Sequence, residues 1–340
     1  MNKIYIVLLY SIYVTNYTRR LQLTGGSTFI LSLPSKWVRE NGLSRGSELI
    51  ISESDDSLVI SSGHPKKIEV SKKLMINERV NISELQRILI SIYISGFNTL
   101  VIASKQYLSE ELREIIKKFS RLVMGVEIFE ESSTSITLQN VLDSTSFPLS
   151  KAVRRMSLNV EAMIKDTIAG MENSDNKLLE NVIERDDEVD RYLYYIYREV
   201  RAGTEEGSDA VYYLIFSRIL ERLADHTVNI CIAWKEKSSD DRTNPEEIIN
   251  FLLNAASLFN ESVDAFYGRK FAVLNDLIEK KQEIIEAKNR LMNGKKAGSI
   301  TNQITAISEE ILRIGLYSTD IAELAMDLLL GEKNEIVIDS

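Results

Sequence analysis

From Pro148 to about Gly331 apolar residues recur with a period near 3.6 almost without interruption. Such a period obliges this half of the chain to form amphipathic helices packed on one another. The pattern breaks at 172–176, 202–208, 238–245, 267–269 and 293–299, where turn-forming residues collect. Six long helices are predicted, in two groups of three, and short loops make neighbours antiparallel. Pro245 suits the first turn of the fourth helix. The two groups read as a repeat. VIERDDEVD (182–190) parallels LIEKKQEII (277–285), and ILERLADHTVNI (219–230) parallels EILRIGLYSTDI (310–321).

The rest of the chain is patterned differently. Residues 18–63 read as a small β module. Apolar and polar residues alternate on both sides of Gly25-Gly26, a short helix follows Pro34, and a second strand pair surrounds 54–56. Residues 66–146 mix helical and strand periods and suggest a small α/β connector. The predicted fold class is therefore α+β and multidomain, with bundles at 148–238 and 244–332. A length of 340 residues agrees with two or three domains, and 44% apolar residues can supply a sizeable core. A module of some 45 residues buries too little to stand alone, so it is expected to oligomerise.

Lys3 and the apolar run Ile4 to Val14 open the sequence. The run is shorter than the roughly 20 residues a membrane helix needs, and no small-x-small exit follows it. Residues 1–17 are read as an extra strand or an over-long gene start, with Val14 a candidate first residue. No stable membrane insertion is expected. The single cysteine, Cys231, excludes an intramolecular disulfide framework and suits a reducing, cytoplasmic setting.

IERDDEVDR, 183–191, packs five carboxylates into seven residues. At 100° per residue, Leu179, Ile183, Leu193, Tyr197 and Val200 fall on one stripe with Asp186 and Asp190 in its middle. Glu184, Glu188 and Arg191 fall opposite. The third helix supplies a second i, i+4 pair, Glu221 and Asp225, aligned with Leu214, Val228 and Ile232. A carboxylate held in an apolar stripe must be paired, protonated or metal-bound. Carboxylates projecting inward from facing helices are a known way to build a metal site. Oxygen donors favour magnesium, manganese, calcium or oxidised iron, and no Cys/His spacing supports structural zinc. The competing reading is an ion-pair network using Arg185, Arg191, Arg218 and Arg222. In the second group the matching positions hold Lys281, Ile285, Leu312 and Leu316, so all four acids are missing together and the stripe is expected to close dry. No nucleophile, phosphate-cradling glycine loop or spare general base stands out, so no enzyme is expected.

Six helices in two repeats, with DDEVD and ERLAD followed by His226 and Asn229, resemble the PhoU family. The resemblance covers roughly 148–331. It implies twin three-helix bundles, regulation of phosphate uptake, and a multinuclear cluster of iron, manganese, magnesium or zinc. Carried over by position, the metal ligands are Asp186, Asp190, Glu221 and Asp225. A phosphate transporter or a signalling protein is the partner it implies.

RRLQLTGGSTFILSLPSKWVRENGLSRGSELII, 19–51, resembles the AbrB-like (SpoVT-AbrB) DNA-binding domain. The carrying residues are Gly26-Ser27, Pro34, Gly42-Leu43 and Gly46. This resemblance implies a swapped-hairpin homodimer that binds duplex DNA. Between Thr18 and Gly46 stand Arg19, Arg20, Lys36, Arg39 and Arg45 against Glu40 alone, on a chain of net charge −9. A basic patch on an acidic protein is the footprint of phosphate-backbone contact. Arg19 and Arg20 are the leading candidates, with Lys36 and Arg39 in support. Trp37 is expected in the core. A twofold dimer predicts a pseudo-palindromic target. The alternative is an adaptor that binds a transporter or signalling partner, with the N-terminal module serving only to dimerise it.

Overall fold

The computed structural model describes residues 17–54, 57–62, 70–76, 80–142, 147–203, 209–236, 244–293 and 302–331. The run Ile4–Val14 lies outside the described residues. The chain divides into two compact units, 1–68 and 69–340.

In the first unit, β1 (Gln22–Thr24) and β2 (Thr28–Ile30) form an antiparallel hairpin. Gly25 and Gly26 turn it at φ +60° and +88°, a backbone region that favours glycine. Pro34 precedes α1 (Ser35–Glu40), and Gly42 follows it with φ +65°. A second antiparallel hairpin joins β3 (Ile50–Ser54) to β4 (Ser57–Ser61). Among the described residues the two hairpins form separate two-stranded sheets, and none of residues 17–62 is classed as buried. Leu21, Leu23, Phe29, Ile51, Leu58 and Val59 are each more than half exposed. The alternation that makes these strands thus has an apolar side that this unit does not itself cover.

The second unit begins with β5 (Ser71–Ile76), α2 (Ile82–Ile94), β6 (Thr99–Ser104), α3 (Glu110–Leu122), β7 (Val126–Glu131) and β8 (Ser135–Asn140). Asn81 and Ser109 cap the two helices by accepting from backbone N–H groups of the first turn. The sheet order is β5-β6-β8-β7, with only β5 and β6 parallel. Leu100, Ile102, Ile136 and Leu138 pack on Leu85, Leu89, Ile116 and Phe119. Both helices therefore lie on one face of the sheet.

The helical body contains α4 (Leu149–Asn173), α5 (Asn176–Glu184), α6 (Asp186–Ala202), α7 (Asp209–Lys235), α8 (Pro245–Gly268), α9 (Leu274–Asn293) and α10 (Asn302–Gly331). A 3-10 turn, Phe271–Val273, precedes α9. The predicted breaks stand, but the second helix is divided at Arg185. Its N–H is shared between the carbonyls of Asn181 and Val182, and its own carbonyl accepts from Glu188. This local tightening puts Asp186, Asp187 and Glu188 in the first turn of α6. Acidic residues are favoured there by the helix dipole.

Both groups of helices share one hydrophobic core. α7 and α10 run antiparallel through it. Tyr212 reaches the Asp327 carbonyl, and Asn229 donates to Glu310. The rings of His226 and Tyr317 stack at 5.5 Å. These two are equivalents in the repeat, so an approximate twofold axis passes between them. α2 and α3 pack on α6, where the Arg198 guanidinium lies 5.1 Å from the Tyr93 ring centroid. No described helix is long and apolar enough to cross a membrane.

One glycine tests the packing of the second group. A Cβ at Gly315 would stand 2.7 Å from Ile284 Cγ2 on α9. Gly315→Ala is expected to destabilise by about 1–3 kcal/mol despite its better helix propensity. A melting temperature equal to or above that of the parent would show that α9 and α10 approach less closely than this.

Candidate metal centre and nucleic-acid interface

The two acid pairs face one another from α6 and α7, at the margin of the core. Along α5 and α6, Leu179 and Leu193 are buried, Ile183, Asp186, Asp190, Tyr197 and Val200 are half-buried, and Glu184, Glu188 and Arg191 are exposed. On α7, Glu221 is 8% exposed and Asp225 half-buried. The alignment with Ile232 does not hold, because Ile232 is 41% exposed. The centre of the buried face of α7 runs instead through Leu220, Leu223, Ala224 and Thr227. Glu221 and Asp225 flank that face, Glu221 buried and Asp225 half-buried.

The electrostatics ties the acids together. Burial, then the charges of Asp190, Asp225, Glu221 and Asp187, push the Asp186 carboxyl up to about 7. Burial also raises Asp190, assisted by Asp225 and Asp187. A hydrogen bond from Tyr194 and the charge of Arg218 pull the other way. Tyr194 donates to Asp190 Oδ2 at 2.9 Å, and its ring packs on the core of the connector. Burial first, and then Asp190, hold the Tyr194 phenol far above its ordinary range. Arg218 donates to Glu221 Oε1 at 3.1 Å, and Arg222 Nε lies 3.8 Å from Glu221 Oε2. Arg185 turns away to Asp166 at 2.8 Å. Part of the expected arginine network therefore exists, but it is centred on Glu221.

Among the described residues no three Asp, Glu, His or Cys side chains converge as they would on one ion. The donor set nonetheless suits a hard cation. It is anionic and all oxygen, and Asp186 senses a net negative field that Arg218 and Arg222 leave uncancelled. The second group shows the contrast. Lys281 is exposed, and Ile285, Leu312 and Leu316 are half-buried. Burial and Glu323 raise the half-buried Asp320, while the Lys281 charge lowers it. The expected dry closure is thus incomplete, with the Lys281 charge countering part of what raises Asp320.

Tyr194 at the site, and Glu310 against the other side of the α7–α10 crossing at His226, carried no sequence signal strong enough to single them out. Tyr194 stands four positions after Asp190, a spacing that could have marked it. Glu310 comes from the other repeat, where it accepts from Asn229 and lies 2.5 Å from His226 Nδ1. Burial would raise Glu310, but those two bonds and the charges of His226 and Arg313 hold it below its ordinary value.

In the first unit Arg19, Arg20, Lys36 and Arg39 are all exposed. Arg19 lies 5.6 Å from the Tyr17 ring centroid and donates to the Thr18 carbonyl. Lys36 and Arg39 share one face of α1, and Lys36 makes a long 3.8 Å pair with Glu40. Trp37 is half-buried rather than core, since α1 buries no residue in this unit.

Two family matches fall on these two regions. The PhoU domain matches residues 153–233, which include Asp186, Asp190, Glu221 and Asp225. The MazE family, antidote-toxin recognition in bacterial antitoxins, matches residues 22–71. A phosphate-specific transport system accessory protein PhoU homolog of Clostridium acetobutylicum is 22% identical over 215 residues, 58% of this chain and 98% of that protein. A homolog of the same description from Caulobacter vibrioides is 27% identical over 137 residues, 38% of this chain and 59% of its own length. The crystal structure of the phosphate transport system regulatory protein PhoU from Streptococcus pneumoniae aligns with a TM-score of 0.49 and 16% identity, covering 55% of this chain and 96% of that one. PhoU from Pseudomonas aeruginosa aligns with a TM-score of 0.48 and 18% identity, covering 54% and 96%. This chain carries a PhoU domain across its acid-bearing bundle and a MazE/AbrB-like domain at its N-terminus.

Proposed function

We propose that this protein is a dimeric, DNA-binding regulator of phosphate uptake whose helical body reports phosphate status through a carboxylate-held cation site. The observation that carries this reading is that the PhoU match, 153–233, contains both acid pairs. Asp186, Asp190, Glu221 and Asp225 would hold the cations, and Tyr194 would orient Asp190 through its hydroxyl. A bound multivalent cation supplies positive charge to which an anion such as phosphate can attach. The residues here would hold that charge at the margin of the core, beside the half-buried Asp186, Asp190 and Asp225. The N-terminal module supports the rest of the reading. Its hairpins expose apolar side chains that a second copy would cover, and its basic residues are solvent-facing. An effector that binds one dimer arrangement better than another changes DNA affinity by that difference.

The relatives, phosphate-specific transport system accessory proteins, favour a second reading, in which the body docks on a phosphate transport system and the head only dimerises. The test is elemental analysis of the purified full chain, with a gel shift on the DNA upstream of its own gene at about 50 mM salt, with and without phosphate. The first reading expects bound metal and a shifted band that responds to phosphate. Metal without any shift leaves the adaptor, and protein with no metal above background removes the sensor centre.

A further inference from the structure

Among the described residues, helices cover one face of the connector's four-stranded sheet and leave the other open. α2 and α3 cover the side bearing Leu100, Ile102, Ile136 and Leu138. The opposite side is set by the strand register. Lys73 pairs with Val101, Val101 with Thr137, and Thr137 with Glu130, so these four form one row across the sheet. Glu127 joins the β7 edge in the next row, beside Gln139. A cation thus stands on the β5 edge, two carboxylates stand on the β7 edge, and apart from Gln139 small or β-branched side chains lie between. Lys73, Glu127 and Glu130 are exposed and make no ion pair among the described residues.

We propose that this face docks on the same face of a second copy of the chain. A twofold axis parallel to the strands, passing between β6 and β8, lays the β5 edge of each sheet over the β7 edge of the other. Lys73 then meets Glu130 of the second copy twice, once at each end, and Val101 packs over Thr137. Self-complementarity of this kind is what an isologous contact requires. An axis perpendicular to the strands would instead set lysine over lysine and glutamate over glutamate. Two sheets packed face to face sit about 10 Å apart, a gap that small central side chains leave free for the long edge side chains to bridge. Four short strands present roughly 300 Å² per copy, well under the ~800 Å² of a self-sufficient interface. The contact therefore rests on the head dimerising as proposed above, because tethering raises the effective concentration into the millimolar range. It would give the connector two states, docked and apart, between the head and the helical body.

The test is zero-length carbodiimide crosslinking of the full chain, mixed from ¹⁴N- and ¹⁵N-labelled protein, with mass spectrometry of the linked peptides and light scattering on the same sample. Within one chain Lys73 and Glu130 are three strand spacings, about 14 Å, apart and cannot join directly. The expected result is a Lys73–Glu130 link between copies. Lys73→Glu and Glu130→Lys each remove one reactant of the link and set like charges against each other, so either variant alone should give no link at this position. Mixing the two variants should restore it, because the exchanged dimer retains one native pair and one reversed pair. A dimer by light scattering with no such link between copies overturns the face while leaving the head dimer intact. A monomer without links overturns both.

Discussion

Asp186→Asn combined with Asp190→Asn is expected to remove the bound cation and, at the same time, to stabilise the chelator-treated protein. The two effects have opposite signs for one reason. Asp186 carries a proton up to about pH 7 because it is partly buried among other acids. Ionising it is unfavourable unless a cation is present. An asparagine has the same shape without that charge, so the apo fold loses a repulsion and the holo fold loses two ligands. Metal affinity should fall more than ~100-fold, beyond the usual effect of losing an outer-shell partner. The apo melting temperature at pH 8 should rise by about 2–6 °C. The pH dependence has a definite sign. The folded pKa lies above the ordinary aspartate value of 3.8. Between about pH 4 and 7 the folded chain holds a proton that the unfolded chain has released. This group therefore makes apo stability decline as pH rises through that window, and the decline levels off above it. The double variant should lose that part of the slope. A variant that binds metal like the parent would assign the acids to the dipole of α6 instead. A variant that melts lower would show that the acids are already satisfied by their neighbours.

Tyr194→Phe separates positioning from ligation at the same site. It keeps the ring that packs on the connector and removes the donor to Asp190. Loss of one partner that orients a ligand typically weakens metal binding about 10–100-fold. If Asp190 is a ligand, Phe should weaken the metal by that factor while leaving the apo melting temperature within a few degrees. Unchanged affinity would detach Asp190 from the ion.

The helical half was legible because periodicity survives wherever a helix has a wet side. Every predicted break lies at an observed helix end, and the separation of Asp186 and Asp190 from Glu184 and Glu188 followed from angle alone. The division at Arg185 was not legible, since a tightened turn needs no glycine or proline. β5 also escaped. Its SKKLMI sequence puts Lys72 on the side facing the core, where it is half-buried at the sheet edge and contacts Ser95. A lysine at an inward position hides the period of two from any reading of polarity. That Glu221 and Asp225 flank the centre of the buried face of α7 was not legible, because that helix is apolar nearly all round. Its angular pattern therefore could not distinguish the centre of the buried face from the flank. The His226–Glu310 contact joins residues 84 apart and follows from the antiparallel crossing of α7 and α10. Local spacing carries no trace of it.

Arg19→Ala with Arg20→Ala is expected to weaken DNA binding on the order of 100-fold at 0.1 M salt, and more at lower salt. Both residues precede β1, are exposed, and lie in the basic stretch of an otherwise acidic chain. A dimer carries each of them twice. If all four contact phosphate, the slope of log affinity against log salt should shrink by about 3–4, at roughly 0.9 per contact. Every tested sequence should lose affinity alike if the pair only grips the backbone. A base contact would show itself differently, by relaxing preference at one position of each half-site. Lys36→Ala with Arg39→Ala on the exposed side of α1 is the control from the same module, with a smaller loss expected for a supporting role. Neither pair touches a buried residue, so folding and dimerisation should be unchanged by light scattering and thermal melting. A parent protein that binds DNA with a steep salt slope, and an Arg19/Arg20 variant with the same slope, would move the interface elsewhere on the head. A parent with no measurable affinity even at low salt would leave the basic stretch as ordinary solvated surface and the transporter-docking reading in its place.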